Sequence, residues 1–145
     1  MSDWVQARLG AKARFVDHSG LGGGSRISAL EFVRALTAAQ GTPMATTFKS
    51  VLRDLGQPEA GEEGLSGPVR VIGKTGTLNF VSTLVGYIQP ASGREMVFAI
   101  LSGDTQRRDA LRMEERERPP GGKAWIGRAR GLQRDLIARW SVLYA

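Results

Sequence analysis

Hydrophobic positions along this chain change period twice. They recur at three and four through the first 55 residues, alternate by twos from Val69 to Ser102, and return to three and four after Trp125. Helices are therefore expected at both ends, with a block of strands between them. Trp4, Val5, Leu9 and Ala13 predict a short amphipathic helix over residues 3–13. Ser28-Ala29-Leu30-Glu31 has the spacing of a capping box, serine covering free amides and Glu31 reaching back. It predicts a helix running to Gln40, with Ile27, Leu30, Val33 and Leu36 as its buried stripe and Gly41 closing it. Thr42-Pro43 then reads as N-cap and first helical residue of a second helix, lined by Met44, Phe48, Val51, Leu52 and Leu55 and ended by Gly56.

Residues 57–68 are polar and glycine-bearing, a loop that delivers the chain to the strand block. Residues 69–78 sort Val69, Val71, Gly73, Thr75 and Thr77 onto one face and Arg70, Ile72, Lys74, Gly76 and Leu78 onto the other. Residues 78–81 make a short connection to a returning strand over 82–88. Pro90-Ala91-Ser92-Gly93 reads as a hairpin turn into a third strand over 95–102. The charged stretch 103–122 ends in Pro119-Pro120-Gly121-Gly122, which allows only a short helix near 109–116 before a break. Trp125, Ala129, Leu132, Leu136, Trp140 and Leu143 then give the clearest helical stripe in the chain, expected to cover one side of the sheet. The fold class expected is α+β, an antiparallel sheet of about three strands covered by helices, in a single region spanning residues 1–145.

Composition narrows the chemistry. With no cysteine and one histidine among 145 residues, disulfides, cysteine-ligated metals and histidine-rich metal sites are all excluded, and no cofactor or metal is expected. The net charge of +6 is concentrated late, where ten arginines and lysines between Arg107 and Arg139 outnumber their acidic neighbours. No aromatic interleaving or nucleic-acid motif accompanies them, so residues 106–140 read as a solvated helix and loop with no nucleic-acid partner expected. The opening Met-Ser-Asp-Trp has no basic region leading into an apolar run, so no signal peptide is read in this chain, and no stretch is long enough to span a membrane.

Two glycine-rich places invite a chemical reading. Gly20, Gly22, Gly23 and Gly24 meet neither nucleotide-binding spacing, and a tight turn ahead of a helix is the expectation there. Asp17, His18 and Ser19 are adjacent, whereas the members of a hydrolytic triad come from separate parts of a fold. Asp17 and Ser19 are expected to hydrogen-bond the turn. Lys74-Thr75-Gly76-Thr77 is different. It puts a cation, a hydroxyl and a bare backbone edge on one short piece of strand, where Gly76, lacking a Cβ, is expected to let another backbone come close, and so makes a place where a peptide carboxylate can be laid.

Lys74-Thr75-Gly76 followed by Thr77-Leu78, with Leu84-Val85-Gly86-Tyr87-Ile88 and Met96-Val97-Phe98-Ala99-Ile100 behind it, resembles the C-terminal part of the class C penicillin-binding proteins. These are periplasmic D-Ala-D-Ala carboxypeptidases and endopeptidases. Val16-Asp17-His18-Ser19-Gly20-Leu21 is a second match, where the family usually has Asp-Gly-Ser-Gly-Leu and His18 departs. The penicillin-binding signature also contains Ser-x-x-Lys and Ser-x-Asn. No serine here precedes a lysine by three, and the only asparagine, Asn79, follows threonine by two.

The resemblance implies a penicillin-binding or β-lactamase-like transpeptidase fold and a periplasmic location. It implies a serine-type reaction in which a lysine-activated serine attacks the D-Ala-D-Ala bond of peptidoglycan stem peptides and forms an acyl-enzyme. Lys74 would then take a catalytic part, supplying charge for the terminal carboxylate. Thr75, Gly76 and Thr77 would bind substrate, with the Thr77 N–H as one oxyanion donor. Stem peptides and β-lactams are the ligands expected of the full-length protein. The chain is expected to be the C-terminal part of such a domain, inactive by itself; the alternative is an inert module that binds cell-wall peptide in the same groove.

Overall fold

The computed structural model describes residues 1–20, 23–56, 69–90, 94–115 and 117–144. Its centre is an antiparallel sheet of four strands in the order β3 (Arg53–Asp54), β4 (Arg70–Leu78), β5 (Val81–Gln89) and β6 (Met96–Gly103). Three of these are the expected meander, with β4 in register against β5 from Arg70↔Gln89 to Leu78↔Val81. The fourth corrects the expectation. Residues 53–54, assigned from sequence to the second helix, form a short edge strand opposite Ile72 and Gly73. That helix, α3 (Ala45–Ser50), is only six residues long.

Alternation sorts the sheet as its sequence requires. Val71, Leu84, Ile88, Phe98 and Ile100 lie on one face with Leu55 and Ile137, whereas Ile72 and Tyr87 lie on the other with Leu36. The first face is covered by α5 (Gly122–Leu143), whose Ile137 is 1% exposed. Burying a side chain of that size contributes about 2–3 kcal/mol. The helix buries Ala129, Gln133 and Ile137, while Leu132 and Leu143 of the expected stripe are exposed. Gln133 occupies a core position because its side-chain amide donates to the Ser82 hydroxyl at 3.1 Å, so two buried polar groups satisfy each other.

The second face is covered by α2 (Ala29–Gln40). Ser28 caps it by accepting the Glu31 N–H at 3.2 Å. Glu31 does not reach back as a capping box would; its carboxylate instead accepts the Lys12 N–H and pairs with Arg34. Both partners hold that carboxyl below its usual range, the Lys12 amide most strongly. Leu36 is buried but Leu30, expected in the same stripe, is 58% exposed. Thr42 does not cap α3, because its hydroxyl donates back to the Ala39 carbonyl and Met44 takes the cap position.

At the N-terminus α1 (Ser2–Leu9) is shorter than its apolar spacing suggests. Gly10 adopts φ 64° and ends it four residues before Arg14, with its N–H on the Gln6 carbonyl. Ala13–Arg14 (β1) then pairs with Arg26–Ile27 (β2), a two-stranded ribbon where only a turn was expected. In the charged stretch the short helix is α4 (Thr105–Asp109), earlier than expected because Asp104 caps it by accepting the Arg107 N–H at 2.9 Å. A 3₁₀ turn follows at Met113–Glu115. The expected loop over 57–68 and the centre of the 90–93 turn lie outside the described residues.

Candidate active-site strand

The Lys-Thr-Gly-Thr residues occupy the second half of β4. Leu55 donates its N–H to the Val71 carbonyl at 2.8 Å, which establishes that Val71 directs its backbone toward β3. In an antiparallel strand N–H and C=O of one residue point the same way and alternate residue by residue. Gly73, Thr75 and Thr77 therefore also face the β3 side, while Ile72, Lys74, Gly76 and Leu78 face β5. The β3 pairing stops at Gly73, and among the described residues no strand pairs with 74–78 on that side. Two N–H donors and two carbonyl acceptors, from Thr75 and Thr77, thus line an open edge.

Lys74, Thr75 and Thr77 are all exposed. The Lys74 side chain leaves the face shared with Ile72 but curls to the edge, where its ammonium donates to the Thr75 carbonyl at 2.6 Å. One positive charge thereby stands over the same edge as the two N–H groups. A free strand edge bearing a cation can accept an extended peptide and hold its terminal carboxylate. Gly76 plays a role other than the one its sequence suggested. An added Cβ would lie 2.5 Å from the Thr83 hydroxyl oxygen, so a side chain, not a second backbone, fills the space. Close backbone approach occurs at the facing pair Gly73 and Gly86.

The strand is held at both ends. Beyond Leu78 the chain turns through Asn79 and Phe80, and Phe80 takes φ 56° while 1% exposed. A bulky side chain in that region costs about 1–2 kcal/mol, so the surroundings must enforce it. They do so through the Asp104 N–H on the Phe80 carbonyl at 2.8 Å and the Arg108 guanidinium on the Asn79 carbonyl at 3.2 Å. Nothing in the sequence marked Phe80, Arg107 or Arg108, since a turn residue and a basic run carry no periodicity.

At the opposite end of the sheet, Glu95 accepts from Lys49, Gln40 and Gln89, joining α2 and α3 to the β5–β6 hairpin. Burial raises the Glu95 carboxyl, and the hydrogen bonds of Lys49, Gln89 and Gln40 more than offset this, leaving it below its ordinary range. Beneath it Tyr87 donates to the Leu36 carbonyl at 3.0 Å, with the Lys49 ammonium 4.7 Å from its ring centre. Burial, with the Glu95 charge adding, pushes the Tyr87 phenol up to about 12.

Asp17, His18 and Ser19 lie in the loop of the separate β1–β2 ribbon. Asp17 accepts from the Ser19 hydroxyl at 3.1 Å and the Gly20 N–H at 2.7 Å, closing the turn as its sequence suggested. The four residues of the Lys-Thr-Gly-Thr strand are thus brought together, and the Asp-His-Ser loop belongs to another element.

No helix among the described residues is long and apolar enough to cross a membrane. No curated protein matches the chain. Among solved structures, the predatory endopeptidase Bd0816 of Bdellovibrio bacteriovorus, in complex with immunity protein Bd3460, matches with a TM-score of 0.60 at 22% identity over 95% of this chain. The chain spans 36% of that protein's length, and the likeness is one of fold. The strand just described falls inside residues 9–117, the segment matched by the model of the D-Ala-D-Ala carboxypeptidase 3 (S13) family, and the chain belongs to that family.

Proposed function

We propose that residues 1–145 are the C-terminal part of a serine-type D-Ala-D-Ala peptidase of the class C penicillin-binding kind, supplying one wall of its peptide site. The observation that carries this reading is the open edge of β4 beyond Gly73, with the Lys74 ammonium above it, in a chain of the S13 family. A stem peptide would add to that edge as an extended strand. Its terminal carboxylate would meet Lys74, and the Thr75 and Thr77 hydroxyls would donate to substrate. The Thr77 N–H, directed to the edge, would be one of two donors to the developing oxyanion, an interaction worth about 3 kcal/mol. β-Lactams would occupy the same wall. The serine nucleophile and its lysine would come from polypeptide outside these 145 residues, and the site would work in the periplasm.

The test is the intact mass of the protein from its native cell, before and after exposure to a labelled penicillin. The proposal predicts a chain longer than this one that gains a single adduct. A native chain of this length that gains none would contradict it and leave the second reading, an inert module that holds cell-wall peptide on the same edge. The absence of Ser-x-x-Lys from the chain favours that second reading if the adduct fails.

A further inference from the structure

Past Gly73, β4 has a hydrogen-bonded strand neighbour on one side only among the described residues. Its last five residues keep their position through β5 and through the turn that joins the two strands. That turn is where the molecule concentrates contacts from elsewhere. The Phe80 ring meets Trp125 of α5 edge-on, with centroids 6.2 Å apart and planes at 78°. On the same ring lies the Arg107 guanidinium, 4.6 Å from the centroid. The guanidinium also donates to the Pro120 carbonyl at 3.5 Å and sits 3.2 Å from where a Cβ on Gly121 would stand. Gly121, at φ 72°, is the residue that opens α5. Arg107 is therefore wedged between the turn after Thr77-Leu78 and the start of the helix that covers the sheet.

We infer that Arg107 is a positioning residue for the peptide edge: its guanidinium, clamped between the Phe80 ring and the Pro120-Gly121 bend, holds the strained turn so that the Thr77 N–H stays aimed at the open side of β4. This rests on the proposed peptide site, but the geometry is specific to the turn. Phe80 keeps its positive φ with both its ring and its carbonyl held. Arg107 supports the ring, and Asp104, whose carboxylate caps the Arg107 N–H, holds the carbonyl. One short segment, residues 104–108, thus grips both chain atoms and side chain of the turn. A cation over an aromatic face keeps this attraction when arginine is replaced by lysine, although the Pro120 contact is lost.

The test uses isotope-labelled protein as it stands, in wild-type, Arg107→Ala and Arg107→Lys forms, with Glu95→Gln at the far end of the sheet as control. Two readouts are taken: the amide resonances and hydrogen exchange of Thr75 and Thr77 without ligand, and the affinity for an acylated peptide ending in D-Ala-D-Ala. Arg107→Ala is expected to shift the Thr77 amide, speed its exchange and weaken peptide binding about fivefold, the scale of one cation–π contact. Arg107→Lys, which keeps a cation over the ring but not the Pro120 contact, should recover part of both, and Glu95→Gln should leave the Thr77 amide in place. An unshifted Thr77 amide in Arg107→Ala, or a lysine variant no better than alanine, overturns the inference. If wild-type protein binds no such peptide, the peptide site itself fails, and the ligand-free amide readout still decides for or against the brace.

Discussion

Replacing Gly86 by alanine tests the central sheet most sharply, because the space for the new methyl is occupied by backbone. A Cβ there would lie 2.1 Å from the Ile72 carbonyl oxygen and 2.7 Å from the Gly73 Cα. Both distances are far inside van der Waals contact, and neither atom belongs to a side chain that can swing aside. Relief requires β4 and β5 to part by about 1 Å at the register Gly73↔Gly86. The neighbouring pairs Ile72↔Tyr87 and Lys74↔Val85 are those whose backbone groups face each other, and parting the strands weakens them. Losing the better part of two ladder bonds at about 1 kcal/mol each, with overpacking of 1–3 kcal/mol, gives a destabilisation of about 3 kcal/mol. For a chain of this length that lowers Tm by roughly 10 °C. Gly103→Ala is the matched comparison, since its Cβ would meet only the Val81 Cγ2 at 3.9 Å. Thermal unfolding followed by circular dichroism should separate the two variants by most of that interval. Equal melting temperatures would refute the claim that backbone approach at Gly73–Gly86 requires glycine.

Three further outcomes follow from the packing. Ile137→Ala should cost about 2–5 kcal/mol in a denaturant titration, because the side chain is fully buried between α5 and the sheet and the cavity cannot close without moving the helix. Tyr87 should ionise late in a spectrophotometric titration. Its phenol is raised to about 12, so the stability it contributes is complete below the unfolded value near 10 and is lost as pH rises through 12, and Tyr87→Phe should remove that high-pH phase. Glu95 has the opposite sign. Its carboxyl lies below the ordinary 4.5, so its contribution is present above that value and is lost as pH falls through the folded-state pKa; Glu95→Gln should flatten the acid limb of a stability-versus-pH curve.

Much of the fold was legible because a period of two cannot be mistaken over nine residues. The alternation of residues 69–78 placed Val71 and Ile72 on opposite faces, where the two core clusters hold them. What escaped was decided by pairing and by competition between local partners. Arg53 and Asp54 have no strand signature of their own and become β3 only because Gly73 and Ile72 offer an edge. Glu31 leaves the capping box because the Lys12 N–H is a stronger claimant, and Thr42 turns back to Ala39 instead of forward. The expected stripe of α5 was right at Trp125, Ala129, Leu136 and Trp140 but drifted at Leu132, where burial goes to Gln133 through its bond to Ser82. For the candidate site, Lys-Thr-Gly-Thr was readable as a motif. A bare edge beside it was expected too, but not where that edge begins, since this depends on where β3 stops, and the grip of residues 104–108 on the Phe80 turn was not legible.

The most direct measurement is a titration of isotope-labelled protein with an acylated peptide ending in D-Ala-D-Ala, followed residue by residue through the amide resonances, alongside the same peptide ending in L-Ala-L-Ala. A peptide-binding edge on β4 predicts saturable shifts centred on Thr75, Gly76 and Thr77 with the D-peptide, weaker shifts with the L-peptide, and their loss in Lys74→Ala. Shifts confined to the basic face of α5, or the same response to both peptides, would contradict it.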